Sequence, residues 1–310
     1  MLNVTDTLKL AYVVPTKDHP DDLEKFLDSL TRQTRMPDQV IIVDGSDPAV
    51  KNICDAFADL PLTYVREFPP SLARQRNAGM AALTDDITVA GYMDDDLVLE
   101  PETTERMAAF WVGAGDDVGG ASFSIINQPV ARDSFLLRFF RMSGNPPGRV
   151  LPSGFPCQIP YVTQTIETEW LYGGATMWRR GVIDEFSYDE WYIGYGFLED
   201  LDYSYRVSRK HRLFVVGDAQ LWHFSHPMPL TRQFEFGRQQ VFNRLYFAGK
   251  HKNLSAPWVA WGMFGQVTLN LLALVRHPDG PRLDRLRGNI QGLLAALGGR
   301  KSSFDGHWKQ

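Results

Sequence analysis

The stretch GYMDDDLVLEP sets Asp94, Asp95 and Asp96 side by side between apolar residues. Adjacent carboxylates repel one another, and a chain that needed only solubility would disperse them. A divalent cation would neutralise the repulsion. Mg²⁺ takes carboxylate oxygens and keeps coordination positions open for substrate phosphates. Alternate residues of an extended segment face the same way, so Asp94 and Asp96 converge while Asp95 points elsewhere. An acidic turn is commonly no more than a solvated turn; the apolar run ITVAGYM ahead of this one sets it apart. A second acidic group, Glu199, Asp200 and Asp202, lies in GFLEDLDYSYR at the start of a predicted helix. Such acids serve as helix caps with favourable dipole placement. They serve equally as a general base, because a carboxylate within hydrogen-bond reach can take the proton of an attacking hydroxyl. A partly buried, acid-rich surrounding raises the pKa of that carboxylate toward a useful range. Downstream, LWHFSHP supplies His223 and His226. Two aspartates and a histidine at the ends of neighbouring strands would complete a metal site.

These residues need a scaffold that brings them together, and the hydrophobic pattern supplies one. LAYVVPT and QVIIVDGSD read as buried strands ending in turn residues, LTYVRE as a third and DITVAGYMDD as a fourth. Between them, DDLEKFLDSLTRQT spaces Leu23, Phe26, Leu27 and Leu30 at helical intervals, with Asp21 or Asp22 as the expected cap. SLARQRNAGMAAL reads as another helix. Strands alternating with helices predict an α/β fold, a Rossmann-like, mostly parallel twisted sheet flanked by helices. The acids fall where strands end, and open α/β sheets bind ligands outside the carboxyl ends of their strands. Later strand and helix signals sit in RLFVVGDAQLWHFSHP and GFLEDLDYSYRVSRK. Residues 128–165 include MSGNPPGRVLPSGFPCQIP, rich in Pro and Gly, which predicts an irregular acceptor-side flap.

Charge divides the chain. Residues 1–225 hold 20 Lys and Arg against 33 Asp and Glu, whereas residues 226–310 hold 12 against 4. An acidic body is a poor grip for nucleic acid, which needs clustered Lys and Arg, and the basic tail shows no aromatic-rich strand motif for RNA. The tail reads as a helical appendage. WVAWGMFGQVTLNLLALV (258–275) carries no charge but includes Gln266 and Asn270, and its length is at the lower edge for a bilayer span. Leu283, Leu286, Ile290, Leu293, Leu294 and Leu297 fit one helical face, with Arg282, Arg285 and Arg287 nearby. Packing on the body, lying on an anionic membrane and spanning one are three readings of this pattern. Cys54 and Cys157 make no disulfide framework, and no basic-then-apolar leader opens the sequence, so a cytoplasmic protein, peripheral on the inner face of the membrane through 227–310, is expected. Phosphate-loop, H-E-x-x-H, G-x-S-x-G and strand-linked G-x-G-x-x-G motifs are absent.

In this order, AYVVPTKDHPDDLEKFLDSLTRQT, IIVDGSD, LARQRNAGM, YMDDDLVLEP, WLYGGATMWRRGV, GFLEDLDYSYRV and WHFSHP resemble family 2 glycosyltransferases of the GT-A fold over about residues 9–226. The resemblance implies a catalytic domain over 1–226 and a basic, amphipathic helical region over 227–310. It implies inverting transfer of a sugar from a nucleotide-sugar, assisted by Mg²⁺ or Mn²⁺, to a glycan or lipid-linked glycan. Pro15, Thr16 and Asp18 match the loop that meets the nucleotide. Asp44 matches the acid that accepts a hydrogen bond from the base, which favours UDP or dTDP. VDGSD stands where the family often has VDDGS, so the second acid shifts to Asp47. Arg76 and Asn77 match the element over the nucleotide. Asp94 and Asp96 match the D-x-D motif, with His223 as a third metal ligand; Asp95 either touches the ribose or only braces the loop, and the sequence leaves both open. Asp200, after Glu199, matches the catalytic base. Trp170, Gly173 and Gly174 match the segment under donor sugar and acceptor; GGATMW departs from the frequent G-N-M there, which puts contacts from Thr176 in doubt. Two other readings are a sugar nucleotidyltransferase, whose usual Gly-rich loop is missing from VVPTKDHP, and a non-catalytic carbohydrate-binding scaffold, which would not need Asp96 and Asp200.

Overall fold

Strands β1 (Leu10–Thr16) and β2 (Gln39–Asp44) are buried at every position. Their near-continuous apolar runs are the pattern of strands covered on both faces. The computed structural model describes residues 8–129, 133–192 and 196–299. From β1 the chain passes through α1 (Pro20–Thr31) to β2, α2 (Lys51–Ala56), β3 (Leu62–Arg66), α3 (Leu72–Ala81), β4 (Val89–Met93), β5 (Leu97–Leu99), α4 (Thr103–Gly113) and β6 (Val118–Ile125). Then follow α5 (Phe135–Phe139), β7 (Ile166–Thr168), β8 (Ala175–Arg179), α6 (Arg180–Glu185), α7 (Glu199–Val207) and β9 (Arg212–His223). Helices α8 (Gln233–Lys250), α9 (Ala256–Arg276) and α10 (Gly280–Leu297) end the described chain. Two compact units result: described residues to 129, 160–190 and 196–225 form the first, and 133–159, 191–192 and 226–299 the second.

The first unit holds one sheet in the order β3-β2-β1-β4-β8-β6-β9-β5, with β7 also on β9. The half predicted from strand–helix alternation, β3 to β4, is parallel throughout. Beyond it β8 runs antiparallel to both neighbours, and β9 is parallel to β6 but antiparallel to β5 and β7. Register aligns the strand ends: Thr16 sits opposite Asp44, Asp44 opposite Arg66, and Leu97 opposite His223. The last pairing carries His223 to the residue next to Asp96.

Helix α1 buries Leu23, Phe26, Leu27 and Leu30 completely, each removal from water contributing about 1.5–3 kcal/mol. Its start differs from expectation. His19, not Asp21 or Asp22, is the N-cap residue and no side chain caps it; Pro20 opens the helix and the two acids fall in its first turn, where they complement the dipole. Helix α3 lies so close on β1 that a Cβ at Gly79 would stand 2.1 Å from Val13 Cγ1. The strands β5 and β6 and the helix α4 between them went unread in the sequence.

In the second unit, the Pro/Gly-rich segment expected to be irregular contains α5 and a bridge between Val150 and Pro156. Helices α8 and α10 pack through small residues. A Cβ at Gly237 would meet Arg285 O at 2.1 Å, and one at Gly288 would meet Phe234 O at 2.1 Å. Buried Asn289 donates to Gly237 O at 2.6 Å. The face of α10 that packs is thus Gly288, Asn289, Gly292 and Ala295. Of the leucine face read from the sequence, Leu283, Ile290, Leu294 and Leu297 are exposed, while Leu286 is half-buried and Leu293 packs against the cluster around Val241.

Candidate active site

Three short loops and one helix start meet at the carboxyl ends of β1, β2 and β4. Asp94, Asp96 and His223 each offer one ligand atom, and these atoms lie within 4.8 Å of one another. Asp94 follows β4, its amide donating to Gly174 O at 2.8 Å. Asp96 Oδ1 is buried without a hydrogen-bond partner and faces His223 Nε2 at 3.1 Å. A proton on Nε2 bridges the two atoms, and without it they are spaced as cation ligands: ligands about 2.1 Å from an octahedral ion and at right angles stand about 3.0 Å apart. Asn127 fixes the histidine backbone, accepting from His223 N at 2.9 Å and donating to its carbonyl at 2.8 Å. Burial works against a charged His223, and Asp96 more than offsets it, so its pKa is raised. The middle acid has another partner. Asp95 is buried, accepts from Thr16 Oγ1 at 2.6 Å and lies 3.8 Å from His19 Nδ1.

The second acidic group enters from α7. Leu198, ahead of the helix, has φ 78°, a left-handed conformation that costs a bulky residue energy and clusters at functional sites. It turns Glu199 inward. Arg76, only 2% exposed, donates from Nη1 to Glu199 Oε1 at 2.9 Å and from Nη2 to Asp94 Oδ1 at 3.5 Å. Its guanidinium lies 5.0 Å from the Tyr188 ring centroid and 5.6 Å from that of Tyr92. Asp200 is more open than Glu199; it accepts from Gly173 N at 3.2 Å and Leu201 N at 2.7 Å. Burial pushes Glu199 up to about 8, with the neighbouring Asp200 adding to the rise and Arg76 opposing it. Burial raises Asp94 and Asp200 too, again against Arg76.

Gly173 and Gly174 make this packing possible. A Cβ on Gly174 would sit 1.8 Å from Asp94 Oδ2, and one on Gly173 would sit 2.7 Å from Asp200 Cβ and 2.9 Å from Arg76 Nη1.

Several residues expected to meet a substrate turn inward. Asp44 has no exposed surface; it accepts from Ser46 N at 2.7 Å, Val50 N at 2.9 Å and Tyr64 Oη at 2.6 Å, and pairs with Arg66 at 3.2 Å. With its oxygens so engaged it braces the loop after β2 and is no open acceptor for a base. Burial would raise its pKa, but these donors hold it below the ordinary value. Asn77 donates to Tyr188 O at 3.0 Å and accepts from Tyr188 N at 2.9 Å, so it clamps the backbone of Tyr188 rather than covering a nucleotide. Trp170 is 5% exposed, its ring edge-on to Tyr172 at 4.6 Å, which makes it packing under the segment rather than an open floor. Thr176 is fully buried and accepts from Trp178 Nε1. Asp202, also fully buried, accepts from Arg206 within α7. Pro15 and Thr16 are buried at the end of β1, whereas Asp18 is exposed and accepts from Asp47 N at 3.0 Å. Tyr188, Asn127 and His19 went unread, because each acts through a partner far away in sequence.

A family model for glycosyl transferase family 2 matches residues 12–186. The chain belongs to that family. It is 25% identical over 280 residues to the uncharacterized glycosyltransferase YwdF of Bacillus subtilis (strain 168), covering 89% of this chain and 92% of the relative. Its fold is similar to that of the mannosyltransferase PcManGT from Pyrobaculum calidifontis, solved with GDP-Man and Mn²⁺, at a TM-score of 0.54 and 16% identity, over 94% of this chain and 81% of that one. It is similar also to residues 1–349 of S. aureus TarS, solved with UDP, at a TM-score of 0.51 and 14% identity, over 98% and 95% of the two chains. The fold is therefore the GT-A fold expected from the sequence, and the chain is a glycosyltransferase.

Two expectations follow from the geometry of this family 2 site. In Gly174→Ala the new methyl group displaces the Asp94 carboxylate. Mn²⁺ affinity, read by electron paramagnetic resonance, should fall at least about tenfold, the scale of losses when a ligand loses its support. Wild-type affinity would mean that Asp94 is no ligand. The second concerns pH. Glu199 holds its proton more tightly in the folded chain, to about 8, than at its ordinary 4.5, so the wild type loses stability as pH rises between those values. Glu199→Gln has no proton to lose. Without added metal its melting temperature should match the wild type near pH 5 and exceed it at pH 8.5; a lower value at pH 8.5 would mean that the Arg76 ion pair outweighs burial.

Proposed function

We propose that the chain is an inverting, metal-assisted glycosyltransferase with a nucleoside-diphosphate sugar as donor and a hydroxyl of a glycan or lipid-linked glycan as acceptor. One observation carries the reading. The ligand trio Asp94, Asp96 and His223 and the carboxylate pair Glu199 and Asp200 share one buried cation, Arg76. A bound Mg²⁺ or Mn²⁺ would be held by Asp94, Asp96 and His223 and would offset charge on the leaving diphosphate. Asp200 is the general base. It is the more exposed acid of its pair, burial raises its pKa toward working range, and its backbone donors fix its direction. It takes the proton of the acceptor hydroxyl as that oxygen attacks the anomeric carbon from the face opposite the leaving group. Glu199, tied to Arg76, keeps the pair in place. Thr16, through Asp95, and exposed Asp18 shape the loop that meets the nucleotide, so orientation is set before the chemical step.

The leaning toward UDP or dTDP rested on Asp44, whose carboxylate is engaged inside the protein. The donor is therefore proposed as a nucleoside-diphosphate sugar of open base. A neighbour in fold carries GDP-Man and another UDP. The nucleotidyltransferase reading has no Gly-rich loop after β1, where the sequence is VVPTKDHP. The scaffold reading leaves the converging Asp94, Asp96 and His223 and the raised acids without a purpose.

A panel of UDP-, dTDP- and GDP-sugars with Mg²⁺ or Mn²⁺, read by thermal shift and nucleotide release, identifies the donor; no response to any of them would favour the scaffold. With the responding donor, Asp200→Asn should bind as the wild type does and lose about 10²–10⁴-fold in transfer rate. Near-normal transfer would remove Asp200 as base. Asp96→Ala should lose the metal-dependent part of donor affinity; equal affinity with and without Mn²⁺ in wild type and variant alike would remove the metal.

A further inference from the structure

The second unit contains a cavity of about 670 Å³ among α8, α9 and α10 that the proposed reaction does not use. That volume lies in the range of small-molecule sites. Its lining is apolar or aromatic and carries no charged side chain. Trp191 and Tyr246 form one flat wall, stacked 3.6 Å apart with their planes 8° from parallel. A sugar, nucleotide or bare ion would lose its water here without gaining polar partners. A hydrocarbon chain loses nothing of the kind, and its burial is favourable.

The surroundings narrow the occupant further. Lining residues Phe264 and Leu297 are 57% and 85% exposed, so the cavity runs out onto the apolar faces of α9 and α10. On those faces Leu271, Leu272, Val275, Ile290 and Leu294 are exposed as well. Helix α9 is 21 residues long and contains an 18-residue stretch with a mean hydropathy of 1.4, yet only 22% of that stretch is buried. Positive charge borders this surface. The Lys250 ammonium lies 5.3 Å from the centroid of Tyr246, a wall of the cavity, and residues 226–310 hold 12 Lys and Arg against 4 Asp and Glu. A second copy of the chain would bring the same positive charge to the contact, and like charges across an interface oppose association. A molecule with a hydrocarbon chain and an anionic head meets both demands.

We propose that this cavity is a lipid site that takes the hydrocarbon chain of an anionic lipid, with Lys250 on the headgroup side of its mouth. The site is independent of the transfer reaction, and its test reads binding alone. The probe is lysophosphatidylglycerol with a brominated chain, below its micelle concentration, added to the full-length protein. Bromine quenches tryptophan fluorescence on contact, and Trp191 lines the cavity. The wild type should be quenched saturably, and Trp191→Phe should lose most of the saturable signal. Ala296→Phe, which fills the cavity, should weaken apparent affinity at least tenfold. Lys250→Glu, a surface change that leaves the lining intact, should weaken it several-fold while leaving binding of the brominated zwitterionic lysophosphatidylcholine unchanged. Melting curves of each variant confirm folding. Three results overturn the proposal: equal quenching in wild type, Trp191→Phe and Ala296→Phe, which puts the chain on the open helix faces; competition by glycerol phosphate as strong as by the lipid, which makes the head the ligand; or a lipid-free dimer, seen by light scattering, that Ala296→Phe disrupts.

Discussion

Arg76 is the ion on which the site depends. Five carboxylates, from Asp94 to Asp96 and from Glu199 to Asp200, crowd the ends of a few buried strands. Two like charges 4 Å apart repel by about 4 kcal/mol at an effective dielectric of 20. A guanidinium with 2% exposure stands between the two acidic groups, with one nitrogen on Glu199 and another on Asp94. A buried cation of this kind is costly when alone and is held only where partners meet it from several sides. Here they do: two carboxylates in its plane, and the faces of Tyr92 and Tyr188 beside it. The tyrosine is fixed in turn by Asn77, one residue along α3 from Arg76. One helix thus carries both the cation and the clamp for its aromatic neighbour.

The backbone has to make room for this ion, and it does so with glycine. A side chain at 173 or 174 would have to displace Asp94, Asp200 or Arg76, which already occupy the space a Cβ would need. The amide of Gly173 donates to the Asp200 carboxylate, and the carbonyl of Gly174 accepts from the backbone amide of Asp94. The segment expected to lie under donor sugar and acceptor therefore acts first on the acids. At α7 the cost appears as the left-handed Leu198, whose conformation persists because the helix beyond it is anchored by buried Asp202, Tyr203 and Tyr205.

What could be read from the sequence follows from this arrangement. Apolar runs ending in acids, LAYVVPT, QVIIVD and ITVAGYM, announce both the strands and the edge where the acids gather, since burial and strand direction are local properties. The D-x-D spacing likewise gave Asp94 and Asp96 as the converging pair. The partners of Arg76 were not legible: Glu199 lies 123 positions away, and no spacing rule reaches across such a gap. The inward turn of Asp44, Asn77 and Trp170 was hidden for the same reason, because their residue types suit a ligand as well as a loop. The strand β5 is only three residues long and owes its existence to β9. The leucines of helix α10 fitted one face that could pack on the body or lie on a membrane; Gly288, Asn289 and Gly292 allow so close an approach to α8 that the small-residue face is buried, while Leu283, Leu294 and Leu297 are left exposed.

The three adjacent aspartates end up unequal because each has a different neighbour. Asp94 is shared with Arg76, so its charge is partly spent within the protein. Asp95 is bonded to Thr16 and near His19, and so ties the loop after β4 to the end of β1. Asp96 faces a ring nitrogen 3.1 Å away, on a histidine that Asn127 holds in position through the backbone. Whenever that nitrogen carries no proton the buried oxygen has no donor, which costs roughly 1–3 kcal/mol, more for a charged group. In the proposed metal-assisted reaction a cation would take the place of that proton, which makes Asp96, rather than the more exposed Asp94, the first residue to expect on it.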